Sequence, residues 1–168
     1  LTLKKLMNHS AGLDTHSIGT QMPGFLKTID GIILGNILDP LNNGVQPMWR
    51  PGISYSYSGG GYTVLEHILE LETGESFRVF GNRELLDHVG MDDSTYDKGL
   101  SSMDNLARGC SRGICGYDVK QTNVKAAGGL LVTANDYAKM LIPLMNEGIG
   151  IDGTRVFKAK TVRQIMTA

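Results

Sequence analysis

Apolar residues recur along the chain at two different spacings, and the places where the spacing changes outline its elements. Leu3, Leu6 and Met7 share one face of a short helix over residues 2–8, which His9-Ser10-Ala11-Gly12 ends. Residues 14–24 are polar and predict a loop. Phe25, Ile29, Ile32 and Ile33 predict a helix within 25–34, and Asp39-Pro40 and Asn42-Asn43-Gly44 mark an irregular connection over 36–49. Leu65, Ile68, Leu69 and Glu72 keep helical spacing over 62–72, with Gly74 as the stop. Phe77, Phe80, Leu85 and Val89 predict a second helix over 75–89, weakened at Gly81. Residues 97–125 are polar and glycine-bearing and predict loops with a short hairpin. Thr133 is a good N-cap for a helix over 134–146 that turns Tyr137, Met140, Leu141, Leu144 and Met145 inward and kinks at Pro143. Asp152-Gly153 predicts a turn, Arg155-Val156-Phe157 a short strand, and Val162, Ile165 and Met166 a last helix over 159–167.

Between these segments lies Arg50-Pro51-Gly52-Ile53-Ser54-Tyr55-Ser56-Tyr57-Ser58-Gly59-Gly60-Gly61-Tyr62. Pro51-Gly52 is a turn signal. Ile53, Tyr55 and Tyr57 alternate with Ser54, Ser56 and Ser58, a period of two that predicts a short extended piece. The three glycines predict a sharp corner before the helix at Tyr62. Such a corner can hold a tyrosine hydroxyl at the mouth of a cleft. On local pattern alone the commoner outcome is a tight connection whose tyrosines pack in the core. Ala126-Ala127-Gly128-Gly129 is a second run of small residues, where backbone is expected to pack close against another element.

Composition narrows the class of protein. The chain has 168 residues, enough for one domain with a real core, and a net charge of −1. Its Lys and Arg are dispersed, so it carries no footprint for nucleic acid. No apolar run approaches the roughly 20 residues of a membrane helix. Glycine, at 22 residues, is about twice its usual share, which suits a chain with many corners. Cys110 and Cys115 lack two further ligands at metal-site spacing. They are either free thiols, slightly the better expectation, or a local disulfide of an oxidising compartment. Asn8-His9-Ser10 fits the N-glycosylation pattern weakly. His9, Ser10 and Asp14 are close in sequence, but a triad is defined in space, and His9 is expected to hydrogen-bond backbone at a helix end.

Five stretches, in order, resemble the penicillin-binding, class C β-lactamase-like serine hydrolases. Residues 51–62 resemble the family's second motif, P-G-x-x-[aromatic]-x-Y-S-N-x-G-Y. Leu1-Thr2-Leu3-Lys4-Lys5-Leu6-Met7-Asn8-His9-Ser10-Ala11-Gly12-Leu13 resembles "ITLRHLLTHTSGL". Glu72-Thr73-Gly74, Phe77 and Val89-Gly90-Met91-Asp92-Asp93-Ser94 resemble "TG-x-x-F…LGM-x-D-T". Ala126-Ala127-Gly128-Gly129-Leu130 with Thr133-Ala134-Asn135-Asp136 resembles "AAGGL-x-ST-x-x-D". Gly153-Thr154-Arg155-Val156 through Met166 resembles the segment that follows it in the family. The resemblance covers nearly the whole chain. It implies a mainly helical domain with a few short strands, the helical lobe of a β-lactamase/transpeptidase-like fold without most of its α/β lobe, as one partial domain over 1–168.

The resemblance also implies a chemistry. A serine in S-x-x-K attacks the carbonyl of a β-lactam, a D-alanyl peptide or an ester, and water hydrolyses the acyl-enzyme. Tyr57 matches the motif-two tyrosine, whose phenolate is a candidate general base. Its reference pKa of about 10 must be lowered by nearby ammonium groups for that role. Gly59 stands where the family has a substrate-binding asparagine and offers only backbone, as in esterase-like and peptidase-like relatives. That departure weighs more against β-lactam hydrolysis than against hydrolase membership. S-x-x-K occurs nowhere in the 168 residues, and the K-T-G or H-x-G strand that should follow the last matched segment is not found after it. The expectation is a middle fragment, inactive alone, with Tyr57 an ordinary tyrosine in isolation. The alternative is a naturally short binding or scaffold module. The implied partner is a small-molecule or peptidoglycan-like acyl substrate, with no cofactor. An exposed apolar face where the sheet would dock invites a homodimer. Family members are often periplasmic or extracellular, and the sequence leaves the compartment open.

Overall fold

The computed structural model describes residues 1–13, 44–96, 106–117 and 124–167. The loop expected over 14–24, the helix over 25–34 and parts of the segments 36–49 and 97–125 lie outside them. The chain divides into two compact units, Leu1–Glu72 with Asp97–Gly129, and Thr73–Tyr96 with Leu130–Ala168.

The first unit opens with α1 (Leu3–Met7), capped by Thr2, whose hydroxyl accepts from Lys5 N–H. The next helix among the described residues, α2 (Gly59–Thr73), starts three residues earlier than the apolar spacing suggests. The glycine run is therefore the first turn of the helix and not a corner before it. Ser58 makes this workable: its Oγ accepts from Gly61 N–H at 3.0 Å, the N-cap bond that replaces a missing helical partner. Among the described residues of the unit, Leu6, Ala11 and Leu13 form a core cluster, with Val45, Val64, Leu65 and Ile68 packed against them. Leu3 and Met7 of α1 stay exposed. Gly12 is required twice over. Its φ is +77°, and a Cβ there would sit 2.3 Å from the Trp49 carbonyl oxygen. Trp49 itself is exposed and not packed beneath the surface.

A hairpin, β1 (Gly109–Ser111) and β2 (Ile114–Tyr117), also belongs to this unit. Arg112 and Gly113 between the strands both have positive φ, as a type I′ turn demands. The register sets Cys110 opposite Cys115, and the two form a disulfide. This reverses the slight expectation of free thiols, because cross-strand pairing and not spacing along the chain brings them together.

In the second unit, α3 (Phe77–Gly81) runs directly into a π-helical turn, Asn82–Asp87, so the single helix expected over 75–89 is widened just after Gly81. Leu86, Met91 and Tyr96 form the core, surrounded by Phe77, Leu85, Val89, Leu130 and Met140. Thr95 and Leu131 pair as an antiparallel bridge. The helix α4 (Ala134–Met145) continues through Pro143, capped by Thr133 Oγ1, which accepts from Asp136 N–H. Its buried stripe is Asp136, Met140 and Pro143, spaced i, i+4, i+7. Tyr137, Leu141 and Met145 lie on the neighbouring stripe and are exposed, against the expectation that they face inward.

Asp136 decides that orientation. Its buried carboxylate accepts from Asp93 N–H and Ser94 Oγ, each at 2.8 Å, and from Lys139 Nζ at 2.8 Å, while Lys139 also donates to the Gly90 carbonyl. Burial alone would raise the carboxyl pKa. The bonds from Lys139, Ser94 and Asp93 and the charge of Lys139 outweigh it and leave the pKa below the usual range. The expected strand at Arg155-Val156-Phe157 is reduced to a single bridge between Ile149 and Arg155. The last helix, α5 (Ala159–Met166), buries Val162 and exposes Ile165 and Met166.

Candidate active site

The corner around Tyr57 is built from the end of α1 and the approach to α2. Asn8 closes α1, and His9 follows with φ +58°, a left-handed conformation that histidine tolerates better than most residues. Asn8 Oδ1 accepts from Ser10 N–H at 3.2 Å and from Ser10 Oγ at 2.7 Å. Ser10 Oγ thus donates to Asn8 and not to the His9 ring, and Asp14 lies outside the described residues.

Pro51-Gly52 forms the expected turn. Gly52 has φ +94°, and Ile53 N–H donates to the Arg50 carbonyl at 3.4 Å, the pattern of a type II turn with proline second and glycine third. Lys5 Nζ donates to the Pro51 carbonyl at 3.2 Å, and Gly52 N–H to the Ser10 carbonyl at 2.7 Å. The expected alternation appears only from Tyr55 onward, and with the apolar side outward: Ser54 is exposed, Ser56 half-buried and Ser58 buried. Ile53 is 68% exposed, Tyr55 70% and Tyr57 49%, whereas Ser58 is buried. The tyrosines do not pack in the core, because the N–H groups of Ser56 and Ser58 are bonded to His9 and Ser58 Oγ to the start of α2.

His9 holds this piece at two points. Its carbonyl accepts from Ser56 N–H at 2.8 Å and its Nδ1 from Ser58 N–H at 3.2 Å. An Nδ1 that accepts leaves the ring proton on Nε2, so the imidazole here is neutral. Burial lowers its pKa further. The ring lies 4.6 Å from the Tyr57 ring, 5.3 Å from Tyr62 and 5.8 Å from Tyr55, centroid to centroid. Tyr62 Oη donates to the Met7 carbonyl at 2.9 Å. Burial first, and the nearby Tyr57 second, raise the pKa of Tyr62, which keeps it a neutral donor. Gly59 is the first residue of α2 and is buried.

Periodicity did not reveal two features of the unit. The first is the partner of the His9 ring: a hydrogen bond between His9 and backbone at a helix end is expected from the sequence and present, but that it clasps Ser58 of the Tyr57 segment is not visible in the spacing. The second is Glu66, fully buried on α2, whose carboxylate accepts from Ala126 N–H at 2.8 Å and also from Lys125 N–H. Burial raises the Glu66 pKa and Glu70 adds to that, while the two N–H bonds and the Lys125 charge oppose it. Glu66 thereby anchors the small-residue run, where Gly129 has no room for a side chain: a Cβ would meet Lys125 Cα at 2.6 Å. The sequence also spells G-x-S-x-G at Gly109–Gly113. Ser111 ends a hairpin strand before a tight turn and not a strand-to-helix elbow, so the pattern carries no nucleophile geometry.

Among the described residues, no group of three or more His, Cys, Asp or Glu is placed to hold a metal ion, and no helix is long and apolar enough to cross a membrane.

The fold is similar to that of solved penicillin-binding proteins and amidases. A penicillin-binding protein from Bacillus halodurans superposes with a TM-score of 0.70 at 18% identity, over 99% of this chain and 50% of that one. A D-amino acid amidase from Ochrobactrum anthropi SV3, complexed with L-phenylalanine amide, superposes with a TM-score of 0.68 at 20% identity, over 96% and 46%. The family model described as Beta-lactamase matches residues 1–167, and the chain belongs to that family. An unguisins hydrolase, ungD, of Aspergillus violaceofuscus is 25% identical over 159 residues, which are 86% of this chain and 27% of that protein. The chain thus spans about a quarter of that relative and half or less of these solved structures.

Proposed function

We propose that residues 1–168 are the helical lobe, a partial domain, of a serine hydrolase that acts on a β-lactam, a D-alanyl peptide, a related amide or an ester through an acyl-enzyme. Tyr57 is its general base, and the backbone around Gly59 helps to seat the substrate. The observation that carries this reading is the placement of Tyr57. It is half exposed, its neighbours Ser56 and Ser58 are pinned to His9, and it stands one residue before the N-cap of α2. A base must present its oxygen in a fixed direction, and this segment fixes the backbone while leaving the ring accessible. The family supports the reaction class. The amidase in the name of one similar structure, with Gly59 in place of asparagine, favours an amide or ester over a β-lactam.

In this reading the nucleophile comes from outside the 168 residues, and the chain alone neither acylates nor turns over. The exposed apolar residues Met48, Trp49 and Ile53 around the corner are the surface on which a second copy would pair in the isolated chain. The test is to treat the whole protein with a chromogenic β-lactam, a D-amino acid amide and a p-nitrophenyl ester, and to follow covalent acylation by intact mass. Acylation of a serine, slowed by Tyr57→Phe about 10²–10⁴-fold, is expected. Absence of acylation by all three, or a full rate in the Phe variant, overturns the proposal.

A further inference from the structure

We propose that His9 is a positioning residue that makes the Tyr57 segment sensitive to acid: its neutral imidazole holds Ser58 N–H, and protonation releases the segment. The role of Tyr57 as base rests on the function proposed above; the latch itself rests on geometry alone.

Three backbone N–H groups tie the segment to the end of α1. Those of Gly52 and Ser56 go to the carbonyls of Ser10 and His9, and neither bond depends on a titrating group. The third, from Ser58, goes to His9 Nδ1. An N–H donor requires a lone pair. An imidazolium has none on either nitrogen, so in acid two N–H groups would face each other across 3.2 Å. Protonation therefore removes one of the two bonds that bracket Tyr57 and leaves the other in place. Ser58 is also the residue whose Oγ caps α2, so its displacement reaches the first turn of that helix.

The surroundings favour the neutral ring. The start of α2 carries the positive end of a 15-residue helix, which opposes a cation beside it. Among the described residues, the titratable groups packed against the ring are the phenols of Tyr55, Tyr57 and Tyr62. Lys5 of α1 is bonded to the Pro51 carbonyl. None of these supplies the negative charge that would stabilise an imidazolium at neutral pH. Burial lowers the imidazole pKa in the same sense. The left-handed backbone of His9 aims the ring, so the latch depends on this residue and not merely on some acceptor nearby.

The test has two independent arms on the whole protein. In the first, ¹⁵N-histidine and ¹⁵N-serine labels follow the His9 ring and the Ser58 amide from pH 8 to 4.5. The expected result is an Nε2–H tautomer at pH 8, and a Ser58 amide proton that shifts upfield with the same midpoint, below about 6.5, as the His9 ring. In the second, kcat/KM for the best substrate is measured over the same range in wild type and His9→Gln. Glutamine can accept from Ser58 but does not titrate. It should lower the alkaline plateau roughly tenfold through poorer placement, and remove the acid limb that wild type shows at the His9 midpoint. A Ser58 amide that ignores the His9 titration, or an Nδ1–H tautomer at pH 8, overturns the latch whatever the activity does. A coupled titration in a protein that hydrolyses none of the substrates sustains the latch and refutes the hydrolase reading instead.

Discussion

The Tyr57 corner of the first unit and the Asp136 clamp of the second both fix a turn of backbone through one side chain, and they do so with opposite chemistry. Asp136 is wholly buried, charged and answered on every side by Asp93 N–H, Ser94 Oγ and Lys139 Nζ. Such a network holds one geometry and leaves nothing outside itself to bind. His9 is neutral, makes a single ring hydrogen bond among the described residues, and lies against three rings, of which Tyr55 and Tyr57 are open to solvent. The clamp uses its polar groups on itself, whereas the corner keeps a phenol pointing outward on a pinned backbone. A buried polar group that is fully satisfied signals structure. An exposed aromatic on a constrained segment signals a site.

If that contrast is right, substitutions at the corner cost rate and substitutions at the clamp cost stability. The largest effect expected is Tyr57→Phe in the whole protein. It should lose about 10²–10⁴-fold in kcat, or about 3–5 kcal/mol of barrier, with the denaturation midpoint unchanged. A midpoint that falls along with the rate would make Tyr57 a packing residue and erase the difference between the two regions.

Asp136→Ala comes next. It leaves Ser94 Oγ and Asp93 N–H without their acceptor, while Lys139 keeps the Gly90 carbonyl, and should cost roughly 2–5 kcal/mol in urea unfolding. The rate per folded molecule should hold. The same clamp predicts an acid limb. The folded carboxyl releases its proton more readily than the unfolded chain does, so its stabilisation is complete above about pH 4 and is lost as pH falls through the folded pKa. Urea curves of wild type and Asp136→Asn between pH 6 and 2.5 should converge toward acid. Parallel curves would remove the charge from the explanation.

Glu66 lies between the two extremes, buried like the clamp but within the unit that carries the corner. Glu66→Ala should cost about 1–3 kcal/mol by leaving the Ala126 N–H unpaired. Glu66→Gln keeps an acceptor and sheds the buried charge. The folded carboxyl holds its proton more tightly than the unfolded one, so the fold loses stability as pH rises through the folded pKa. The glutamine variant should therefore gain on wild type between pH 4 and 8. A gap that stays constant over that range would show that the carboxyl titrates alike in both states.

The smallest effect should come from His9 on stability. Its pKa is lowered on folding, so its contribution is complete above about pH 6.5 and fades below. His9→Gln should flatten the unfolding midpoint of wild type between pH 7 and 5 by roughly 1 kcal/mol or less. A wild-type midpoint that already ignores pH in that window would place the imidazole in solvent.

Much of this was legible from the chain itself. Local rules sufficed wherever the determinant lies within a few residues: Pro51-Gly52 as a turn, Thr133 as a cap, Gly74 after α2, and the motif order that carries the family. They also single out Tyr57, through neighbours that spell a recognisable motif, and its role is the proposal that Tyr57→Phe tests. They failed where a partner far along the chain decides the outcome. Period two gave the alternation of Ile53, Tyr55 and Tyr57 with the serines, but which side faces inward was set by His9, 49 residues before Ser58. Helical spacing gave α4, but Asp93 and Ser94, more than 40 residues away, turned Asp136 inward and Tyr137 outward. The cysteines were a pair in sequence, and only the hairpin register bonded them. A side chain's own propensity is a local quantity. The direction it faces, and the charge it keeps there, depend on which donors and acceptors the folded chain delivers to it.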